Sequence, residues 1–356
     1  MTRTALIAVL LLAACKESSA PAEPAELQVA TDLPEGTVDT ALHIISSGGG
    51  PRADRVAGRK LGASVLPGPA GNVPLPPAAA GDVRWDAEPY GAIASAAAGE
   101  LADMPSTGQD VPPLWRDAGG KWVAVGGRAE VLLVAVDELG DHGAPVRFTA
   151  LTDPWLKGKV AIAAPTGGPS LAHFAALYEA WGQERMESWL AGLKANGVQV
   201  LDSDDEVRKA VVGGTAIVGI LSSDEAAKAA ASAAHVLVVY PNQRSIGTFV
   251  WPTALSISKT AKNPEAARKL AERLADRSNE QLLVARVPGY LPLRADIPVP
   301  PGVRSAANLV VVSVDPARIV DEIGRRKGEL AAWAKSLHEA KAPAAPAQVP
   351  AAAPKK

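Results

Sequence analysis

The sequence predicts an α/β protein. Three observations carry that prediction. Strand and helix patterns alternate from residue 82 to residue 275, the best strand segments are short apolar runs, and three of them end in small polar or acidic clusters that suit helix starts. Short apolar runs are the pattern of strands buried on both faces, so a mainly parallel sheet between helix layers is expected. Ligands of such folds lie at the carboxyl ends of strands, which directs attention to 166–170, 203–205 and 222–225.

The clearest segment is WLKGKVAIAAPTGGPSLAHFAALYEAW, residues 155–181. Its run 160–164 predicts a buried strand, PTGGP breaks it, and Ser170 is placed to cap a helix with the apolar face Leu171, Phe174, Leu177, Tyr178 and Trp181. This order leaves backbone N–H groups and a positive dipole end beside a loop, which suits an anionic group and equally an ordinary connection.

The remaining elements follow in order. A strand is expected at 27–30, a short helix at 37–47, a second strand at 61–66 and a proline-rich loop at 67–81. DVRWDAEPYGAIASAAAGEL gives a strand end, a turn and a helix over 89–98, with Pro89 in its first turn. RDAGGK marks a hairpin, and 123–125 and 131–136 are strands. A helix over 185–193 closes at Asn196-Gly197. Residues 198–201, 216–221 and 236–240 are strands, and Ser203 with Glu206 and Ser222 with Glu225 fit capping boxes. Residues 249–257 are extended, Asn263-Pro264 opens a helix to about 275, 290–294 is a loop, and a last helix runs from Asp315-Pro316 to about 337.

At 356 residues the length allows two or three domains, and 47% hydrophobic with 21% charged residues suits a globular protein. The formal charge of −2 removes the electrostatic case for nucleic acid. The single cysteine, Cys15, excludes an intrachain disulfide. It follows an apolar run, 5–14, too short to span a bilayer but fitting the apolar core of a signal peptide. Leu-Ala-Ala-Cys resembles the bacterial lipobox, whose cysteine is lipidated. The expectation is a signal peptide over 1–15, a polar tether over 16–26 and an exported chain lipid-anchored at the cell envelope through Cys15.

The order of motifs from Asp82 to Asp296 resembles the solute-binding proteins of ABC importers, specifically the ferric-iron-binding-like group. The matching stretches are DVRWDAEP, WVAVGGRAEVLLVAVD, DPWLKGKVAIAAP, WLAGLKANGV, VGILSSDEA, VVYPNQ, ISKTAKNPEAARKLAERL and YLPLRADI. The resemblance implies a two-lobed type II periplasmic-binding fold hinged near Gly127 and Gly247, with lobe one at 27–127 plus 247–300 and lobe two at 128–246. A C-terminal helical segment would occupy 301–340 and a disordered tail 341–356. It also implies permease subunits as partners and a monomer in solution.

Carried over residue by residue, Glu88 falls on the family's acidic metal ligand. Thr166, Gly167 and Gly168, with Ser170 behind them, fall on its anion-holding loop. Asp204, Ser222 and Ser223 fall on its asparagine positions. The paired tyrosines that ligate ferric ion are replaced by Asp224 and Glu225, and the histidine near the first strand is absent, with Asp32 close to its place. An acidic metal site of Glu88, Asp224 and Glu225, with a companion anion, is therefore one expectation. An anionic or zwitterionic solute near Arg128 is another, and acidic residues serving only their helix dipoles a third. Trp85 is a candidate stacking residue.

Among the five histidines there is no His-x-x-x-His pair, and no phosphate-binding glycine loop or nucleophile elbow occurs, so an enzyme is not expected. The expected function is an importer receptor that captures a metal ion or small solute between its lobes. The alternative is a surface lipoprotein that keeps the fold for structural or adhesive contacts.

Overall fold

A computed structural model describes residues 27–57, 81–232 and 234–341. The proposed signal peptide with Cys15, the tether, the strand at 61–66 and nearly all of the tail lie outside the described residues.

In chain order the elements are β1 (Leu27–Thr31), α1 (Glu35–Ser47), β2 (Ala53–Ala57), β3 (Val83–Asp86), α2 (Tyr90–Ala97), β4 (Trp122–Val123) and β5 (Gly127–Ala135). They continue with β6 (Val160–Ala163), α3 (Gly168–Trp181), α4 (Gln183–Ala195), β7 (Gln199–Leu201), α5 (Asp204–Val212), β8 (Val218–Ser222), α6 (Ser223–Ala231) and β9 (Val236–Val239). The chain closes with β10 (Val250–Pro252), β11 (Ala254–Ile257), α7 (Pro264–Leu274), α8 (Arg277–Arg286) and α9 (Pro316–Lys341).

These elements build two sheets. The first has the order β2-β1-β3-β11-β4, and the second β10-β5-β8-β6-β7 with β9 also on β5. Neither is mainly parallel. β1 with β2 and β3, and β6 with β7 and β8, are parallel, whereas β11 with β3 and β4, and β5 with β8, β9 and β10, are antiparallel. The expectation of a mainly parallel sheet is thereby corrected. Apolar runs report burial on two faces, not strand direction, and here antiparallel strands are inserted into both sheets.

The second sheet shows that double burial directly. Along β5, Val131, Leu133 and Ala135 join the core shared with Val207 and Val211 of α5 and Ala226 of α6. The intervening Leu132 and Val134 join the core of α3, α4 and α9, with Phe174, Leu177 and Leu190. Alternate side chains of a strand point to opposite faces, so a strand covered on both sides needs apolar residues at every position.

The chain changes sheet twice, from β4 to β5 and from β10 to β11. Fully buried Thr253 fastens the two crossings together: its Oγ accepts the Val125 N–H at 3.0 Å and donates to the Val125 carbonyl at 2.8 Å. The second change of sheet, at Pro252–Ala254, lies C-terminal to Gly247. α9 packs on both α3 and α2, so it touches the helical layer of each sheet.

Several local expectations are corrected. Ser170 does not cap α3: the helix begins at Gly168 with Gly167 at the cap, and the Ser170 hydroxyl donates to the Ala163 carbonyl at 2.9 Å. Ser222 occupies the cap of α6 but makes no capping bond with its side chain. Ser203 does cap α5, accepting the Glu206 N–H, and Asn263 caps α7. α8 was not expected; Asp276 caps it by accepting the Ser278 N–H at 2.8 Å, and its weak apolar periodicity hid it from the sequence. Among the described residues no helix is long and apolar enough to cross a membrane.

Candidate functional site

A cleft of about 590 Å³ opens between the two sheets. One wall comes from the first sheet, where β3 ends in Asp86 and the chain turns through Ala87 and Glu88. The other comes from three strand ends of the second sheet: Thr166–Ser170 after β6, Asp202–Asp205 after β7, and Ser222 with Asp224 and Glu225 after β8. The order β5-β8-β6-β7 sets these three turns side by side. The cleft therefore gathers Glu88, Thr166, Gly167, Gly168, Ser170, Asp204, Ser222, Asp224 and Glu225 from positions far apart in sequence.

Two expected site residues lie elsewhere. Trp85 is fully buried in the first sheet, where β3 is covered on both faces, and its indole N–H points to the Thr253 hydroxyl at 3.4 Å. Ser223 is buried behind the cleft, accepting the Ala129 N–H at 3.1 Å and donating to the Gly289 carbonyl at 2.6 Å. Four carboxylates that line the cleft were not singled out as ligands: Asp32, Asp86, Asp202 and Asp205. The position of Asp86, two residues before Glu88 at a strand end, was the available signal for one of them.

Most of these groups have partners. Asp32 accepts the Ala87 N–H at 2.7 Å, and Asp204 accepts the Ser222 N–H at 2.9 Å. Asp86 pairs with Arg84 at 2.8 Å. Glu225 pairs with Arg208 at 3.1 Å and also with Lys228, and Arg208 bonds Asp205 as well. Asp224 meets Arg128 at 3.4 Å through one oxygen only; its Oδ1 is buried with no partner among the described residues. Glu88 makes no hydrogen bond or ion pair among the described residues.

Arg128 stands at the start of β5 and spans the two walls. One amino group faces Asp224, the other the Ala87 carbonyl at 3.4 Å. Its guanidinium lies 5.2 Å from the Trp251 ring centre and 5.5 Å from that of Tyr290, an aromatic bracket that fixes the plane of the fork. Opposite Glu88 is the first turn of α3. A methyl group placed on Gly168, whose φ is +57°, would come within 4.0 Å of Glu88 Oε1. The positive φ favours glycine there, and the first turn of α3 leaves backbone N–H groups without intrahelical partners.

The electrostatics follow from this crowding. Burial pushes the Glu88 carboxyl up to about 7, with Arg128 opposing and Asp32, Asp86 and Asp204 adding to the rise. Burial likewise pushes Asp86 up to about 7 against the pull of Arg84. Asp204 is raised by burial, although its bonds from Ser222 oppose this. The cleft is thus an acidic space holding one fork-shaped cation, with Glu88 and the exposed Asp202 without a side-chain partner among the described residues. Among the described residues no three His, Cys, Asp or Glu side chains are gathered as a metal-ligand set.

The family described as bacterial extracellular solute-binding protein matches residues 93–315, more than half of the chain. The chain belongs to this family. Among curated relatives, iron uptake protein A1 of Synechocystis is 29% identical over 210 residues, 55% of this chain and 56% of that protein. The Fe(3+)-binding periplasmic protein of Serratia marcescens is 24% identical over 49% of this chain and 52% of its own length. The chain spans about half the length of these curated relatives. Iron-bound HitA from Pseudomonas aeruginosa shares the fold with a TM-score of 0.69 at 21% identity, covering 88% of this chain and 99% of that one. This solute-binding protein therefore has the two-lobed architecture of periplasmic binding proteins, with its cleft between the lobes.

Proposed function

We propose that the chain is the lipid-anchored receptor of an ABC importer, holding a small solute of mixed charge between its lobes and presenting it to permease subunits. In this reading lobe one is 27–125 plus 254–300, lobe two runs from β5 through β10 at 127–252, and the hinge is the pair of sheet crossings joined at Thr253. Cys15 carries the lipid at the cell envelope. The observation that carries the reading is the unpartnered Glu88 of one wall facing the open first turn of α3 on the other. A largely buried carboxylate without a partner is costly, and a bound positive group removes that cost.

A second reading, a hard cation with a companion anion, is favoured by the names of the iron-binding relatives. Carboxylate oxygens suit hard cations, and free N–H groups at α3 suit the anion. An open, polar-lined cleft argues against a purely structural or adhesive lipoprotein.

The test is a thermal-shift screen of ferric ion with bicarbonate or citrate, phosphorylated compounds, small carboxylates and amino acids. A solute at a hundredfold its Kd stabilises the fold by about 2.7 kcal/mol. Absence of any shift, with no compaction in solution scattering, contradicts the receptor reading.

A further inference from the structure

We propose that the solute is a compact organic zwitterion with a second positive charge, the chemistry of a diamino acid, seated with its carboxylate on Arg128 and its ammonium groups on Glu88 and the acidic rim. The proposal rests on the receptor reading and narrows it to one class of cargo.

The guanidinium provides the carboxylate seat. Its plane is fixed by Trp251 and Tyr290, its two contacts are long at 3.4 Å, and its Nε is buried with no partner among the described residues. A planar, weakly engaged fork is matched in shape by a carboxylate, which takes two parallel N–H bonds. The ammonium seat is adjacent. Arg128 reaches the carbonyl of Ala87, the residue before Glu88, and one oxygen of Asp224 has no partner among the described residues. One arm of the guanidinium therefore ends on the backbone beside Glu88, and cation and carboxylate line the same cleft.

The balance of charge asks for a further cation. Arg84 answers Asp86, Arg208 with Lys209 answers Asp205, Arg208 with Lys228 answers Glu225, and Arg128 answers Asp224. Among the described residues Glu88 and the exposed Asp202 have no such counter-ion; Asp32 is bonded by the Ala87 N–H and Asp204 by Ser222, neither of them a cation. A purely anionic solute meets repulsion here. Bare ferric ion meets Asp224 and Glu225 already paired with Arg128 and Arg208. A cleft of about 590 Å³ holds a solute of amino-acid size.

The experiment is calorimetric titration of the full chain with L-lysine, L-ornithine, L-arginine, cadaverine, inorganic phosphate and ferric ion with bicarbonate. At least one of the three amino acids is expected to bind at least tenfold more tightly than cadaverine, which lacks the carboxylate. Arg128→Ala should remove that preference, Arg128→Lys should restore part of it, and Glu88→Gln should weaken amino acid and cadaverine alike. Melting curves confirm that each variant is folded; if Arg128→Ala is not, the lysine variant and the wild-type preference decide. Tighter binding of ferric ion or phosphate, with no amino acid bound, overturns this cargo class and leaves the receptor reading standing. Binding of none of the probes also overturns the class. The receptor reading is judged separately by whether native mass spectrometry finds another carried solute.

Discussion

At the residue scale, the cleft is governed by how few of its charges lack a partner. Glu88 and Asp86 are both pushed by burial up to about 7 from ordinary values of 4.5 and 3.8. A carboxyl whose folded value is raised binds more protons in the folded state across that window. Stability is therefore highest at the acid end and falls as pH rises from about 4 through about 7. The melting temperature of the solute-free protein is expected to drop over this range, and Glu88→Gln should flatten part of the drop. An unchanged profile in that variant would contradict the placement of Glu88. Thr253 offers a second test. Thr253→Val leaves the buried N–H and carbonyl of Val125 without their side-chain partner and should cost about 1–3 kcal/mol in a urea melt, with Thr253→Ser recovering most of it. Glu88 was legible only through the resemblance carried by DVRWDAEP, and it lines the cleft. Trp85 was misplaced because sequence cannot say which face of a strand meets a cleft, and here both faces of β3 are covered.

At the scale of elements, strand ends and caps were the readable signals. The three turns after β6, β7 and β8 were legible as polar clusters, and topology makes them neighbours. Strand direction was not legible, since an apolar run is the same read either way along a sheet buried on both faces. α8 was missed because its apolar residues do not follow one helical stripe. The glycine turns allow a quantitative check. Gly247 has φ +92°, and a methyl group there would sit 2.4 Å from the Val310 carbonyl oxygen, whereas Gly182, at φ +80°, has open space. Gly182→Ala should cost about 1–3 kcal/mol, the backbone penalty alone, because φ +80° with ψ 164° is a region that only glycine adopts readily. Gly247→Ala should cost clearly more, because the Thr248–Val311 bridge beside it must also shift. Paired thermal melts of the two variants give the comparison, and equal losses would contradict the close approach at Val310.

At the scale of the whole molecule, the two sheets are joined by the crossings at Val123–Gly127 and Pro252–Ala254 and are flanked by α9. That helix buries Ile319, Ile323, Leu330 and Ala334 in the core of α3 while also meeting α2. Leu330→Ala should cost about 2–5 kcal/mol by chemical denaturation, the range for a fully buried leucine. Opening of the cleft must leave these α9 contacts intact or exchange those with α2, so hinge motion is expected at the Thr253 crossings. The two-lobed plan was foreseen from the ordered motif match over 82–296, because many short stretches in one order constrain a topology that no single stretch can. The sequence left the cargo open between a metal ion and an anionic or zwitterionic solute, because the choice depends on which acidic residues find partners, and those partners come from distant elements: Arg128 for Asp224, Arg208 for Glu225. The central claim is that the cleft between Glu88, Arg128 and the start of α3 is where the solute sits. Native mass spectrometry of the freshly purified chain tests it most directly, with the Glu88→Gln/Arg128→Ala double variant beside it. The account predicts a small-molecule adduct on the wild type that is lost from the double variant, and the same adduct on both proteins would contradict it.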